Sequence, residues 1–142
     1  MELSFSEACE RNKGPILEVL KKVFSKTESV LEIGSGTGQH AVHFSKHLPH
    51  LVWQPTEFGE NVAMLKSRID LEGPENLLPA KELDVLRNNW ELEKTDAVFI
   101  ANVFHIAPIK VMHSCLIGTS KCLKRLGIFC VYGPFRFVGK FT

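Results

Sequence analysis

The chain has 142 residues, 44% of them hydrophobic and 23% charged, the make-up of one soluble globular domain with too little length for two. A net charge of +1 argues against a dedicated nucleic-acid binder, whose phosphate contacts need a basic surface. The opening Met1-Glu2-Leu3-Ser4-Phe5-Ser6-Glu7 has no signal-peptide regions, and no apolar run reaches the ~18 residues of a membrane span, so no membrane association and a cytoplasmic address are expected.

Taken in order, Ile16, Leu17, Leu20, Val23 and Phe24 recur at helical spacing after Gly14-Pro15, which predicts a helix with Pro15 in its first turn. Ser29 to Ile33 reads as a buried strand, followed by a glycine turn and a helix carrying Ala41, Val42, Phe44 and Leu48 that stops at Pro49. Leu51 to Glu57 is a second strand, weakened by Pro55. A helix from about Gly59 to Leu71 ends at Gly73-Pro74, and Leu77 to Leu83 is the third strand. Thr95 to Ala101 is the fourth, apolar enough to be covered on both faces. Pro108 to Arg125 is the longest helix, and Gly127 leads into a fifth strand, Ile128 to Tyr132. Such alternation predicts an α/β fold: a doubly wound, mainly parallel, Rossmann-like sheet with helices on both faces.

Charge is unevenly spread. Beyond Asp96 the formal charges are Lys110, Lys121, Lys124, Arg125, Arg136 and Lys140, which fits either a solvated helix face and tail or an anionic partner. Cys9, Cys115, Cys122 and Cys130 have no metal-ligand spacing and read as free thiols, without metal or disulfide. His43 and His47 stand at i, i+4 but lack a third ligand and read as a solvated face.

In open parallel sheets ligands bind at the C-terminal ends of the strands, where strand order reverses. After the first strand comes Glu32-x-Gly34-x-Gly36-x-Gly38. A dinucleotide fingerprint, G-x-G-x-x-G, would need glycine where Gln39 stands. The observed spacing, with an acid two before the first glycine, suits S-adenosylmethionine instead, and Glu32 can orient the loop or bond the amino acid end of that ligand. Glu57 ends the second strand, where an acid takes the ribose hydroxyls, and Glu60 competes for that role. Asp84 and Val85 follow the third strand. Asp84 can accept from the adenine amino group beside an apolar wall or cap the next segment. Asn102-Val103-Phe104-His105 follows the fourth strand, beside the expected position of the transferable methyl. His105 is the candidate base, or a structural or substrate-contacting histidine.

The chain resembles a small class I methyltransferase-like family of unassigned substrate, the methyltransferase-like protein 26 family. The resemblance rests on Ser6 to Ile16, Val30 to His40, Trp53 to Glu57, Asn102 to Pro108 and Tyr132 to Phe135. It implies S-adenosylmethionine as cofactor and an N-terminal segment, Glu10-Arg11-Asn12, that folds back over the cofactor. Arg11 would then pair with the cofactor carboxylate, or Arg11 and Asn12 serve only as surface and cap of the first helix. Such folds continue past the fifth strand through a helix and a two-strand hairpin. Ending at Thr142 therefore suggests a shortened isoform, or a partner that covers the exposed fifth strand, self-association included.

Two functions follow as expectations: methyl transfer to a small-molecule or side-chain acceptor, or a catalytically silent cofactor-binding or interaction module. Ala101-Asn102-Val103-Phe104 stands where enzymes that methylate base or glutamine amino groups carry Asn-Pro-Pro-Tyr, which disfavours that chemistry. A nicotinamide-dependent oxidoreductase is disfavoured by Gln39.

Overall fold

Strands without polar alternation need cover on both sides, and the computed structural model, which describes residues 3–101 and 109–133, provides it. In chain order the elements are α1 (Glu7–Val23), β1 (Ser29–Ile33), α2 (Gln39–His47), β2 (Val52–Glu57), α3 (Asn61–Glu72), β3 (Lys81–Glu82), β4 (Thr95–Ala101), α4 (Ile109–Cys122) and β5 (Leu123–Tyr132). The strands form one sheet in the order β3-β2-β1-β4-β5, parallel throughout. Strand order reverses between β1 and β4, so the crevice expected to hold a ligand opens where the chain leaves β1.

Two apolar layers sandwich the sheet. On one side Ile16, Leu17 and Leu20 of α1 and Ala41 and Phe44 of α2 meet Trp53 and Phe99. Phe44, Trp53 and Phe99 form a mutual aromatic contact with ring centroids 5.6–5.8 Å apart, each pair adding about 1 kcal/mol beyond area burial. On the other side Cys115 and Cys122 of α4 pack on Leu31, Ile33, Val98 and Ile100. Burial pushes the Cys115 thiol up to about 11, which keeps it protonated and unreactive. Among the described residues no helix is long and apolar enough to cross a membrane.

Three element boundaries depart from the sequence reading, and one crossover is covered in an unexpected way. The first helix begins at Glu7, eight residues before Pro15, because Ser6 caps it: the Cys9 amide donates to Ser6 Oγ at 3.2 Å. Pro15 lies inside the helix and leaves the Arg11 carbonyl without its intrahelical donor, but Gly14 and Pro15 face solvent, where water can pair that carbonyl.

The third strand shrinks to two residues. Trp53 N donates to Asn76 O and Leu78 N to Trp53 O, both at 2.9 Å, so pairing starts on time. Neither Pro79 nor Pro55 has an amide to continue the ladder. The Gln54 side chain fills the gap, donating to Pro55 O at 2.9 Å and Pro79 O at 2.8 Å.

The crossover from β3 to β4 carries no helix. Asp84 and Asn89 close two local turns by accepting from Leu86 N and Glu91 N, each at 3.0 Å. Trp90 covers the sheet where a helix would otherwise lie. Its indole N–H donates to Val85 O at 3.2 Å, and its ring lies so close to Gly118 that a Cβ there would fall 2.0 Å from Cζ2.

Finally, β5 starts at Leu123, directly after α4, rather than at Ile128. Leu123 pairs with Thr95 and Ile128 with Ala97, so residues 124–127 bulge out opposite Asp96. Leu126 there has φ 67°. The sequence pattern shows Lys124-Arg125 and Gly127 as a helix end and its stop, and a bulge uses the same residue types. Among the described residues β5 is the outer strand of the sheet.

Candidate functional site

Gly34, Gly36 and Gly38 have φ of 70°, 58° and 82°, left-handed conformations that side chains disfavour, and they turn the chain from β1 into α2. The turn is stitched to β2. Ser35 N donates to Thr56 O at 2.8 Å, Thr56 N donates to Ser35 Oγ at 3.1 Å, and Thr56 Oγ1 donates to Glu32 O at 2.6 Å. These bonds set the loop's position independently of any ligand.

Two acids flank it. Glu57 Oε2 accepts from Gly36 N at 2.7 Å and Oε1 from Phe58 N at 3.0 Å. That places Glu57, and not the exposed Glu60, on the loop. Glu32 is only 2% exposed. Its Oε1 accepts from Ser35 Oγ at 2.7 Å and from Trp53 Nε1 at 3.1 Å. Burial raises its carboxyl from the ordinary 4.5 to about 7, with the two donors pulling the other way and Glu57 adding repulsion. Glu32 is thus the buried anchor beneath the loop, its carboxyl biased toward the protonated form, and Glu57 is the half-exposed carboxylate at its rim.

Among the described residues a Cβ built on Gly36 meets nothing within 4 Å, so the loop presents a bare backbone at the end of β1. At Gly38 a Cβ would instead meet Arg68 Cγ and Leu65 Cδ1 at 3.0 Å. Gly38 therefore serves the packing of α3, whereas Gly36 packs against no side chain among the described residues.

The other expected residues divide. Asp84 Oδ1 accepts from the Leu86 amide at 3.0 Å, closing a turn, and the residue remains half-buried. Val85 packs with the α4-side core, and its carbonyl receives Trp90. Asn102 and His105 lie outside the described residues. Arg11 is exposed on α1, while Asn12 Oδ1 lies 2.7 Å from His40 Nε2.

That last contact is one the sequence reading missed. The sequence pattern assigns His40 no role, yet it is 4% exposed, stacked on Phe44 at 5.1 Å and held by Asn12. Burial first, then the neighbouring His43, lowers its pKa to about 4, so it is neutral. Gln39 was read only as a missing glycine. It fastens the start of α1 to the loop: Ser6 N donates to its Oε1 at 2.6 Å, and its Nε2 donates to Glu10 Oε2 at 2.8 Å. The N-terminal segment thus docks beside the crevice through Ser6, Glu10 and Asn12. A polar pair straight after the glycines was the only available signal.

Comparison with solved structures identifies the architecture. An O-methyltransferase family protein from Burkholderia thailandensis superposes with TM-score 0.68 at 17% identity, over 83% of this chain and 36% of that one. Human N-acetylserotonin methyltransferase, solved in complex with SAM, gives 0.70 at 20%, over 86% and 34%. PKMT2 from Rickettsia typhi, solved in complex with AdoHcy, gives 0.63 at 23%, over 75% and 21%. The fold is therefore the Rossmann-like fold of class I methyltransferases, and this chain spans about a third or less of the length of these three structures. A family model matches residues 3–142, and the chain belongs to that family, described as protein of unknown function (DUF938).

Proposed function

We propose that this chain is a methyltransferase-like protein that binds S-adenosylmethionine at the C-terminal ends of β1, β2 and β4 and transfers its methyl group to a small-molecule or exposed side-chain acceptor. The observation that carries this reading is the open face of Gly36, with Glu57 fixed on its amide and Glu32 buried behind it. Neighbours of the same fold solved with SAM, SAH or AdoHcy support it, as does the resemblance to the methyltransferase-like protein 26 family.

In this reading Gly34, Gly36 and Gly38 let the ligand lie against the backbone. Glu57 accepts from the ribose hydroxyls, and Glu32 fixes the loop. Asp84 and Val85 bound the adenine, with Asp84's second oxygen as acceptor. Arg11, from the exposed side of α1, pairs with the ligand's carboxylate, and Asn12 positions that end through His40. Asn102, which follows β4 in the sequence, supplies a further polar contact to the ligand. S-adenosylmethionine supplies a methyl already activated on a sulfonium, so the chain's task is to align donor and acceptor and exclude water. Where the acceptor carries a proton, His105 removes it.

Isothermal titration with S-adenosylhomocysteine, with NAD as control, tests the cofactor assignment. Saturable binding of the first alone is expected. Gly36→Ala should weaken it at least tenfold, because the new methyl enters the ligand's space, while left-handed strain costs about 1 kcal/mol of stability. Equal binding by that variant would move the cofactor elsewhere. A second reading is a silent cofactor-binding or interaction module. It predicts binding without turnover on any acceptor.

A further inference from the structure

Outside the crevice, α2 forms the floor of a groove of about 640 Å³ walled by α1 and α3, a size typical of small-molecule sites. Gln39, Val42, His43, Lys46 and His47 recur at three- and four-residue spacing and therefore share the face of α2 that looks into it. Lys13 enters from α1 and Arg68 from α3, with the exposed Phe5 and Leu71 near the rim.

The charges are unbalanced. Glu10 is paired with Lys13 at 2.8 Å, and Glu72 with Arg68 at 3.0 Å. Lys46 has no acidic partner among the described residues, so three permanent cations face two carboxylates before either histidine gains a proton. The His43 and His47 rings are 4.4 Å apart, a geometry that could chelate a metal. Lys13 and Lys46 repel a cation, however, and among the described residues no third ligand completes such a site. The same charges attract an anion. His47 Nδ1 is bonded to His43 O at 3.0 Å, so the carbonyl accepts and Nδ1 carries the hydrogen. Nε2 is then the free nitrogen, and it donates only when the ring is protonated. Burial and the neighbouring His47, Lys13 and Lys46 hold His43 below its ordinary value, a repulsion that a bound anion relieves.

We propose that this groove binds a small organic phosphate, with the phosphate on Lys13, His43, Lys46 and His47 and its apolar portion against Phe5 and Leu71. A phosphate offers several acceptor oxygens to donors arriving from two helices. The inference is independent of the cofactor assignment.

The test is an amide chemical-shift titration of the full chain with phenyl phosphate and, separately, inorganic phosphate. Saturable shifts confined to residues 42–47, Lys13 and Leu71 are expected, with phenyl phosphate at least fivefold tighter because of the apolar rim. Binding should be at least twofold tighter at pH 6.5 than at pH 8, as a bound anion raises the depressed pKa of His43 among Lys13, Lys46 and Arg68 on one hand and Glu10 and Glu72 on the other. Lys46→Gln and His47→Gln, both at exposed positions, should each weaken binding at least fivefold while leaving the remaining spectrum in place. Shifts centred on residues 34–38, unchanged affinity in both variants, or no saturation would overturn the proposal.

Discussion

Replacing Glu32 with glutamine should change how the stability of the protein depends on pH, by an amount that follows from its burial. A carboxyl held at about 7 instead of 4.5 keeps its proton in the folded chain across a window in which the unfolded chain has lost it. Stability is therefore greatest below the unfolded value, falls as pH rises from 4.5 to 7, and levels off above that. At 1.36 kcal/mol per unit, the penalty is about 3 kcal/mol at pH 8 and about 1 kcal/mol at pH 5. Glu32→Gln keeps an oxygen for Ser35 and Trp53 but never ionises. Relative to the parent, the variant should gain about 2 kcal/mol between pH 5 and pH 8, or roughly 6 °C in Tm for a domain of this size. Scanning calorimetry of both proteins at pH 5, 6, 7 and 8 reads this difference, and groups common to both cancel. Parallel curves would refute the reasoning, because they would mean that water reaches the carboxylate.

His40 should act with the opposite sign. Its folded value near 4 means that the unfolded chain takes up a proton below pH 6.5 and the folded chain does not, so stability falls on acidification through 6.5 to 4. Relative to the parent, His40→Gln should gain about 2 kcal/mol between pH 7 and pH 4.5, read by the same melts, and a constant difference would place the ring in contact with solvent. Gly118→Ala should cost about 2 kcal/mol in urea denaturation because Trp90 must leave its seat, with a shift in Trp90 emission as the second readout. Thr119→Val should stabilise by about 1 kcal/mol, since the buried Thr119 hydroxyl has no partner among the described residues. Loss of stability there would reveal a hidden acceptor.

The parts of the molecule legible in the sequence are those that local chemistry dictates. β1 and β4 are dense apolar runs, Gly34, Gly36 and Gly38 must turn, and Glu57 ends a strand beside them. What could not be read depends on partners distant in sequence. Nothing near His40 marks it as buried, because the contact that holds it comes from Asn12, 28 residues away. Pro15 reads as a helix start because proline favours first turns, and the true start depends on the single hydroxyl of Ser6. The residues between Leu83 and Lys94 lack helical periodicity, but only the fit of Trp90 against Gly118 shows how the sheet is covered without a helix.

That helix-free crossover has a consequence for how the domain breathes. A helix is held by a continuous ladder of amides, whereas this segment relies on a few local turns and one indole seat. Its amides should exchange with solvent by a sub-global opening well below the free energy of complete unfolding. Such an opening would carry Asp84 and Val85 away from the crevice while the layer beneath α1 and α2 stayed closed. The chain's two tryptophans sit on either side of this division. Trp53 is fully enclosed in the main core and follows global unfolding, while Trp90 follows the smaller event. Differences between their quenching rates would measure how often that edge of the crevice is open.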